Sequence, residues 1–144
     1  MTEVEVRRLE GSTFLAKGPS NHWVVMDAKP ENFGQDGGAR PIELMLMALG
    51  GCSGIDVELI LRKMRVKVRD FRIQLSSTRA ETEPRKFTGI HVAYHFWGHD
   101  LPRKKLERAV KLSEEKYCSI THTINESVDI TSEIIVHAQE EAIP

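Results

Sequence analysis

The sequence predicts an α+β fold. Three observations lead there: short β-favouring segments open the chain, one long apolar stretch runs from Ile42 to Leu61, and two runs beyond it alternate strictly between apolar and polar residues. The 144 residues, 40% apolar and 28% charged, suffice for one ordinary core and are too few for two sizeable ones, so residues 1–144 are expected to form a single domain.

Val4 to Arg8, Thr13 to Lys17 and His22 to Met26 are separated by Gly11 and by Gly18-Pro19-Ser20-Asn21, the pattern of an antiparallel meander. Lys29 to Arg40 holds Pro30, Gly34, Gly37 and Gly38 with almost no apolar residue, and reads as a loop. A helix is predicted from Pro41, where a missing N–H is tolerated, to about Met64. Its first half is apolar all round and its second half is amphipathic.

Phe71, Ile73 and Leu75, then Ile90, Val92, Tyr94 and Phe96, alternate with polar residues on either side of a charged turn near Glu81 to Arg85, which predicts a second hairpin. Asp100 is placed to cap a further helix with Pro102 in its first turn and Leu106, Ala109, Val110, Ser113 and Tyr117 at helical spacing. A strand from Val128 to Val136 closes the order.

Charge excludes some functions. A net charge of −1 spread along the chain leaves no basic stripe for a phosphate backbone, so nucleic acid is not expected as a partner. Met1 to Val6 lacks the basic and apolar regions of a secretory signal, which makes the cytoplasm, with its reduced thiols, the expected address. The Ile42 to Leu61 stretch is long enough for a membrane span, but Glu43, Asp56 and Glu58 would be costly in hydrocarbon. A helix buried in protein is expected instead, with no membrane partner.

The chemistry-bearing residues are two cysteines. Cys52 lies in Leu49-Gly50-Gly51-Cys52-Ser53-Gly54, where each glycine costs the helix about 1 kcal/mol relative to alanine. Gly50 and Gly54, one turn apart, share a face that lets another backbone or a substrate come close. Cys118, in Lys116-Tyr117-Cys118-Ser119-Ile120-Thr121-His122, can begin a third short helix whose dipole would lower its pKa. The two stand 66 positions apart, which rules out a Cys-x-x-Cys motif, and no histidine pair has zinc-finger spacing, so no metal is expected. Spacing alone leaves inert buried thiols and reactive ones equally open.

Gly-Gly-Cys in a long apolar helix, followed by Glu-Lys-Tyr-Cys-Ser-Ile after a second helix, resembles the OsmC/Ohr family from Arg40 to Val136. Pro41-Ile42-Glu43-Leu44 with Ala48-Leu49-Gly50-Gly51-Cys52 resembles an uncharacterised branch of it. The resemblance implies an OsmC-like fold of antiparallel strands around two long helices, in an intertwined homodimer with active sites at the subunit interface. It implies reduction of organic hydroperoxides by dithiols such as lipoyl groups, as protection against oxidative stress, with Cys52 peroxidatic, Cys118 resolving and no cofactor. Such a thiol-dependent peroxidase needs only two cysteines, because the sulfenic acid formed on one condenses with the other.

The family's peroxidases add an arginine oriented by a glutamate that directly follows the proline. Here Ile42 holds that place and Glu43 comes one residue later, nine positions before Cys52, so a straight helix points the two in opposite directions. Arg40, beside the helix start, and Arg8 are the candidate arginines. Asp56, one turn beyond Cys52, disfavours a thiolate if it shares the pocket. His122 would face Cys118 on a helix, His91 and His95 share a strand face about 13 Å apart, and Met45 and Met47 could wall an apolar pocket. The alternatives are a non-catalytic member of the same fold that binds a small ligand or senses oxidation through its thiols, and a structural domain with inert cysteines.

Overall fold

The computed structural model describes residues 1–143 as two compact units, Met1–Met47 and the chain from Ala48 onward. In the first unit, β1 (Glu5–Glu10), β2 (Thr13–Lys17) and β3 (Trp23–Met26) form an antiparallel sheet in that order, which is the expected meander. The following loop, with a single 3-10 turn at Pro30–Asn32, has too few apolar residues to hold itself by packing. Asp27 holds it by charge. Its buried carboxylate accepts hydrogen bonds from the backbone N–H groups of Ala28 at 2.7 Å and of Gln35 and Gly37 at 3.0 Å, and from the Ser12 hydroxyl at 3.1 Å.

Helix α1 (Pro41–Lys63) starts as the sequence predicts. Arg40 caps it through its carbonyl, which accepts from Glu43 and Leu44 N–H, while the Glu43 carboxylate reaches back to the Arg40 N–H at 2.9 Å. That is the reciprocal half of a capping box.

In the second unit, α1 buries Leu49, Ser53, Val57 and Leu61, one residue per turn. The Gly50 and Gly54 face is filled by β4 side chains: a Cβ added at Gly50 would stand 2.8 Å from Leu75 Cδ1, and one at Gly54 3.2 Å from Ile73 Cδ1. Another part of α1 stays exposed within one chain. Met45, Met47, Ile55 and Leu59 are between 41% and 65% exposed, where the sequence led us to expect a buried helix.

Strands β4 (Asp70–Arg79) and β5 (Phe87–Trp97) form the expected hairpin, with Phe71 stacked on Phe96 at 4.5 Å. The central strand β5 supplies the core: Ile90, Val92, Tyr94, Phe96 and Trp97 are each 3% exposed or less. Strand β6 (Asp129–His137) lies parallel to β5, from Gly89 opposite Asp129 to Trp97 opposite His137. An all-antiparallel arrangement is therefore incorrect here. The β5 to β6 connection is a helical crossover, which returns the chain to the end where β5 began and allows only parallel pairing.

The crossover also corrects the expectation of two long helices. It consists of α2 (Arg103–Leu112), a π-helical turn (Ser113–Tyr117) and α3 (Ser119–Ile124), broken at Cys118 by an extended conformation. Pro102 occupies the cap position of α2 with no side-chain hydrogen bond, so Asp100 does not cap it and pairs with His99 instead. The extra residue in the π turn shifts the helical phase. Tyr117, expected on the buried stripe, is 48% exposed, and Cys118 takes the inward position.

The acid stability of the loop follows from Asp27. The N–H of Gly37 leads the donors that outweigh burial and hold its carboxyl at about 2, below the ordinary 3.8, with Gln35, Ala28 and Ser12 adding to the effect. A lowered carboxyl stabilises the fold above pH 3.8 and loses that contribution as the pH falls toward 2. The Asp27→Asn protein is expected to melt at a lower temperature than wild type at neutral pH. The gap between their Tm values should shrink between pH 4 and pH 2 in acid-titrated thermal melts.

Candidate active site

Helices α1 and α3 bring the two cysteines together. The cysteines are unbonded to each other, with Cys52 half-buried on α1 and Cys118 fully buried at the start of α3. Their sulfurs and a carboxylate oxygen of Asp56 all lie within 4.8 Å of one another. Cys52 and Asp56 share a helix face because they are four residues apart.

The surroundings of Cys118 favour its ionised form. Its Sγ accepts from the Ser53 hydroxyl and from the Thr121 N–H, both at 3.5 Å. Burial alone would raise the thiol pKa, but the donors Ser53 and Thr121 bring it below the ordinary value. The opposite holds for Cys52: burial pushes it up, the neighbouring Cys118 adds to this, and the backbone N–H groups of Ile120 and Ser119 only partly offset it.

Ser113, in the π turn, fixes the other side. Its carbonyl accepts the Cys118 N–H at 2.8 Å, and its hydroxyl donates to Asp56 Oδ2 at 3.3 Å. Behind Ser53, Tyr94 and Glu114 continue a buried polar chain. Burial raises the Tyr94 phenol well above its ordinary value despite a hydrogen bond with Ser53, and burial likewise raises Glu114, which Ser132 and Tyr94 contact. Sequence reasoning missed Ser53, Ser113, Tyr94 and Glu114 as site residues. The four-residue period from Leu49 could have flagged Ser53 as a buried polar group, whereas the π turn hides the phase of Glu114.

The remaining candidates have other partners. Arg40 and Glu43 are together in the first unit, where Glu43 binds the Arg40 N–H. The Arg40 guanidinium pairs with Asp36 and donates to the Gly38 carbonyl at 2.7 Å. It lines a pocket of about 600 Å³ with Phe14, Met26, Asp27 and Pro41. Arg8 lies exposed on β1, and His122 meets Cys118 only through its backbone, its ring being exposed. His91 binds Thr131 and Glu133, and His95 binds His137 at 2.9 Å, so each histidine is engaged by β6.

Two sheets and a thiol pair formed between a long glycine-bearing helix and the start of a short one define a two-cysteine α+β protein. The model of the OsmC-like protein family matches residues 34–133, and the chain belongs to that family. It is 43% identical over 129 residues to Protein YhfA of Escherichia coli strain K12, covering 90% of this chain and 93% of that one. A crystal structure of a hypothetical protein from Aquifex aeolicus is 35% identical with a TM-score of 0.85, covering 97% of this chain and 98% of the other. The organic hydroperoxide resistance protein OsmC of Legionella pneumophila shares the fold at 16% identity, with a TM-score of 0.71 over 94% of this chain and 97% of that one.

The Ser53 contact is testable by itself. In a Cys52→Ser background, where only one thiol titrates, Ser53→Ala removes a donor to the thiolate and should move the Cys118 midpoint upward. The pH dependence of ultraviolet thiolate absorbance measures this, and an unmoved midpoint would show that Ser53 does not stabilise the anion.

Proposed function

We propose that the protein is a thiol-dependent organic hydroperoxide reductase, working in the cytoplasm as part of the defence against oxidative stress. The carrying observation is the pair of reduced sulfurs within 4.8 Å, one half-buried and one fully buried. The name of the Legionella relative supports the substrate class.

Cys52 is the sulfur a substrate can reach, so it attacks the hydroperoxide as thiolate. The O–O bond breaks, sulfur takes up the hydroxyl oxygen as sulfenic acid, and the alkoxide leaves as alcohol after taking a proton. Cys118, in surroundings that favour its thiolate, then attacks the Cys52 sulfur and expels hydroxide, which leaves as water. The balance is two thiols and one hydroperoxide to one disulfide, one alcohol and one water. An external dithiol, of which a lipoyl group is the candidate, restores both thiols.

A homodimer belongs to the same reading. The uncovered apolar residues of α1, Met45, Met47, Ile55 and Leu59, are the surface a second copy would bury, and Arg40 and Glu43 could then serve a site from the partner. A second reading, a redox sensor or small-ligand binder without turnover, is favoured by the local engagement of Arg40 and Glu43 and by the raised Cys52 thiol.

A free-thiol count before and after one equivalent of cumene hydroperoxide separates them. Rapid loss of both thiols is expected, selective over hydrogen peroxide, and at least 100-fold slower in Cys52→Ser; Cys118→Ser should react once and stop. Slow loss in the wild type would move the reading to sensing or ligand binding. Light scattering at micromolar concentration should give twice the chain mass, and a monomeric mass would overturn the dimer.

A further inference from the structure

We propose that the reduced protein binds one divalent thiophilic cation, Zn²⁺ being the best fit, through Cys52, Asp56 and Cys118. This goes beyond peroxide reduction and does not require it.

Geometry carries the inference. Three atoms that all lie within 4.8 Å of one another leave a point no more than about 2.8 Å from each, against Zn–S bonds of about 2.3 Å and Zn–O bonds of about 2.1 Å. Side-chain rotations of about half an ångström close the difference. Two ligands come from one helix face at a four-residue spacing, and the third from the N-cap of α3, so both helices bring their donors to one spot. Two thiolates and a carboxylate suit Zn²⁺ and disfavour Mg²⁺ or Ca²⁺, which take oxygen ligands.

The supporting groups match those of a metal site. Ligands are held in place by hydrogen bonds from residues behind them. Here Ser53 and Thr121 hold Cys118, and Ser113 holds Asp56. Cys52 and Asp56 are half-buried and Cys118 is buried, which leaves an entry path on one side. Three protein ligands leave a fourth tetrahedral position for water. Binding exchanges the two thiol protons for the cation, so that three groups which would repel one another as bare anions can all be ionised together.

The functional consequence is mutual exclusion. A cation on both sulfurs withholds them from oxidation, and a Cys52–Cys118 disulfide cannot bind the cation. If the peroxide reading holds, the metal inhibits turnover and only the metal-free dithiol reacts with peroxide.

The test uses the reduced full chain with Co²⁺ as a spectroscopic probe and Zn²⁺ in competition with a chromophoric chelator. One equivalent per chain is expected, with a thiolate-to-cobalt charge-transfer band in the near ultraviolet that Zn²⁺ abolishes. Asp56→Asn should weaken Zn²⁺ binding at least tenfold, and Cys52→Ser should lose the band. Circular dichroism confirms that each variant is folded, and the half-exposed Cys52 position keeps the test valid if Cys118→Ser does not fold. Binding without the charge-transfer band, or an unchanged stoichiometry in Cys52→Ser, would place the metal away from these sulfurs and overturn the proposal. So would absence of binding at micromolar metal. Because binding is read without peroxide, failure of peroxide turnover leaves this result standing, and failure of metal binding leaves the peroxide reading untouched.

Discussion

The packing of Leu75 and Ile73 of β4 onto the glycine face of α1 is the contact from which the setting of the site is built. Gly50 and Gly54 leave room for the Leu75 and Ile73 side chains on that face, because a methyl group at either position would come within 2.8 and 3.2 Å of their Cδ1 tips. The glycines flank Cys52, so the residues that seat the helix on the sheet also set the height and rotation of its thiol. Helix propensity is given up there, about 1 kcal/mol for each glycine, in exchange for position.

The second thiol is positioned differently. Cys118 sits on a crossover whose two ends belong to strands paired residue by residue over nine positions, and a π turn immediately before it rotates the chain by the amount needed to turn it inward. The Ser113 carbonyl closes that turn on the Cys118 N–H. A regular helix continuing from α2 would have presented Tyr117 to the core instead.

Much of this was legible in the sequence, for physical reasons that vary by element. The meander, the β4–β5 hairpin and the α1 start were readable because alternation, turn residues and Pro41 are local signals. The parallel pairing of β6 was not, since strand direction is set by the whole connection and not by the strand. The cysteines were found through the motif, and the start of α3 at Cys118 through local helix signals. Their mutual distance was not readable, because it depends on the π turn and on Gly50 and Gly54 seating α1. Asp27 escaped notice for a related reason: nothing in the sequence says that a single carboxylate gathers the N–H groups of a loop up to ten residues away.

The spacing of the two sulfurs has a kinetic meaning. One thiol confined within 4.8 Å of another corresponds to a local concentration of about 4 M, far above any free thiol in a cell. A sulfenic acid formed on Cys52 would meet that neighbour before it met a second molecule of oxidant. Under the proposed peroxide chemistry the arrangement would guard against the irreversible sulfinic and sulfonic acids, and it would do so through the joint placement of α1 and α3.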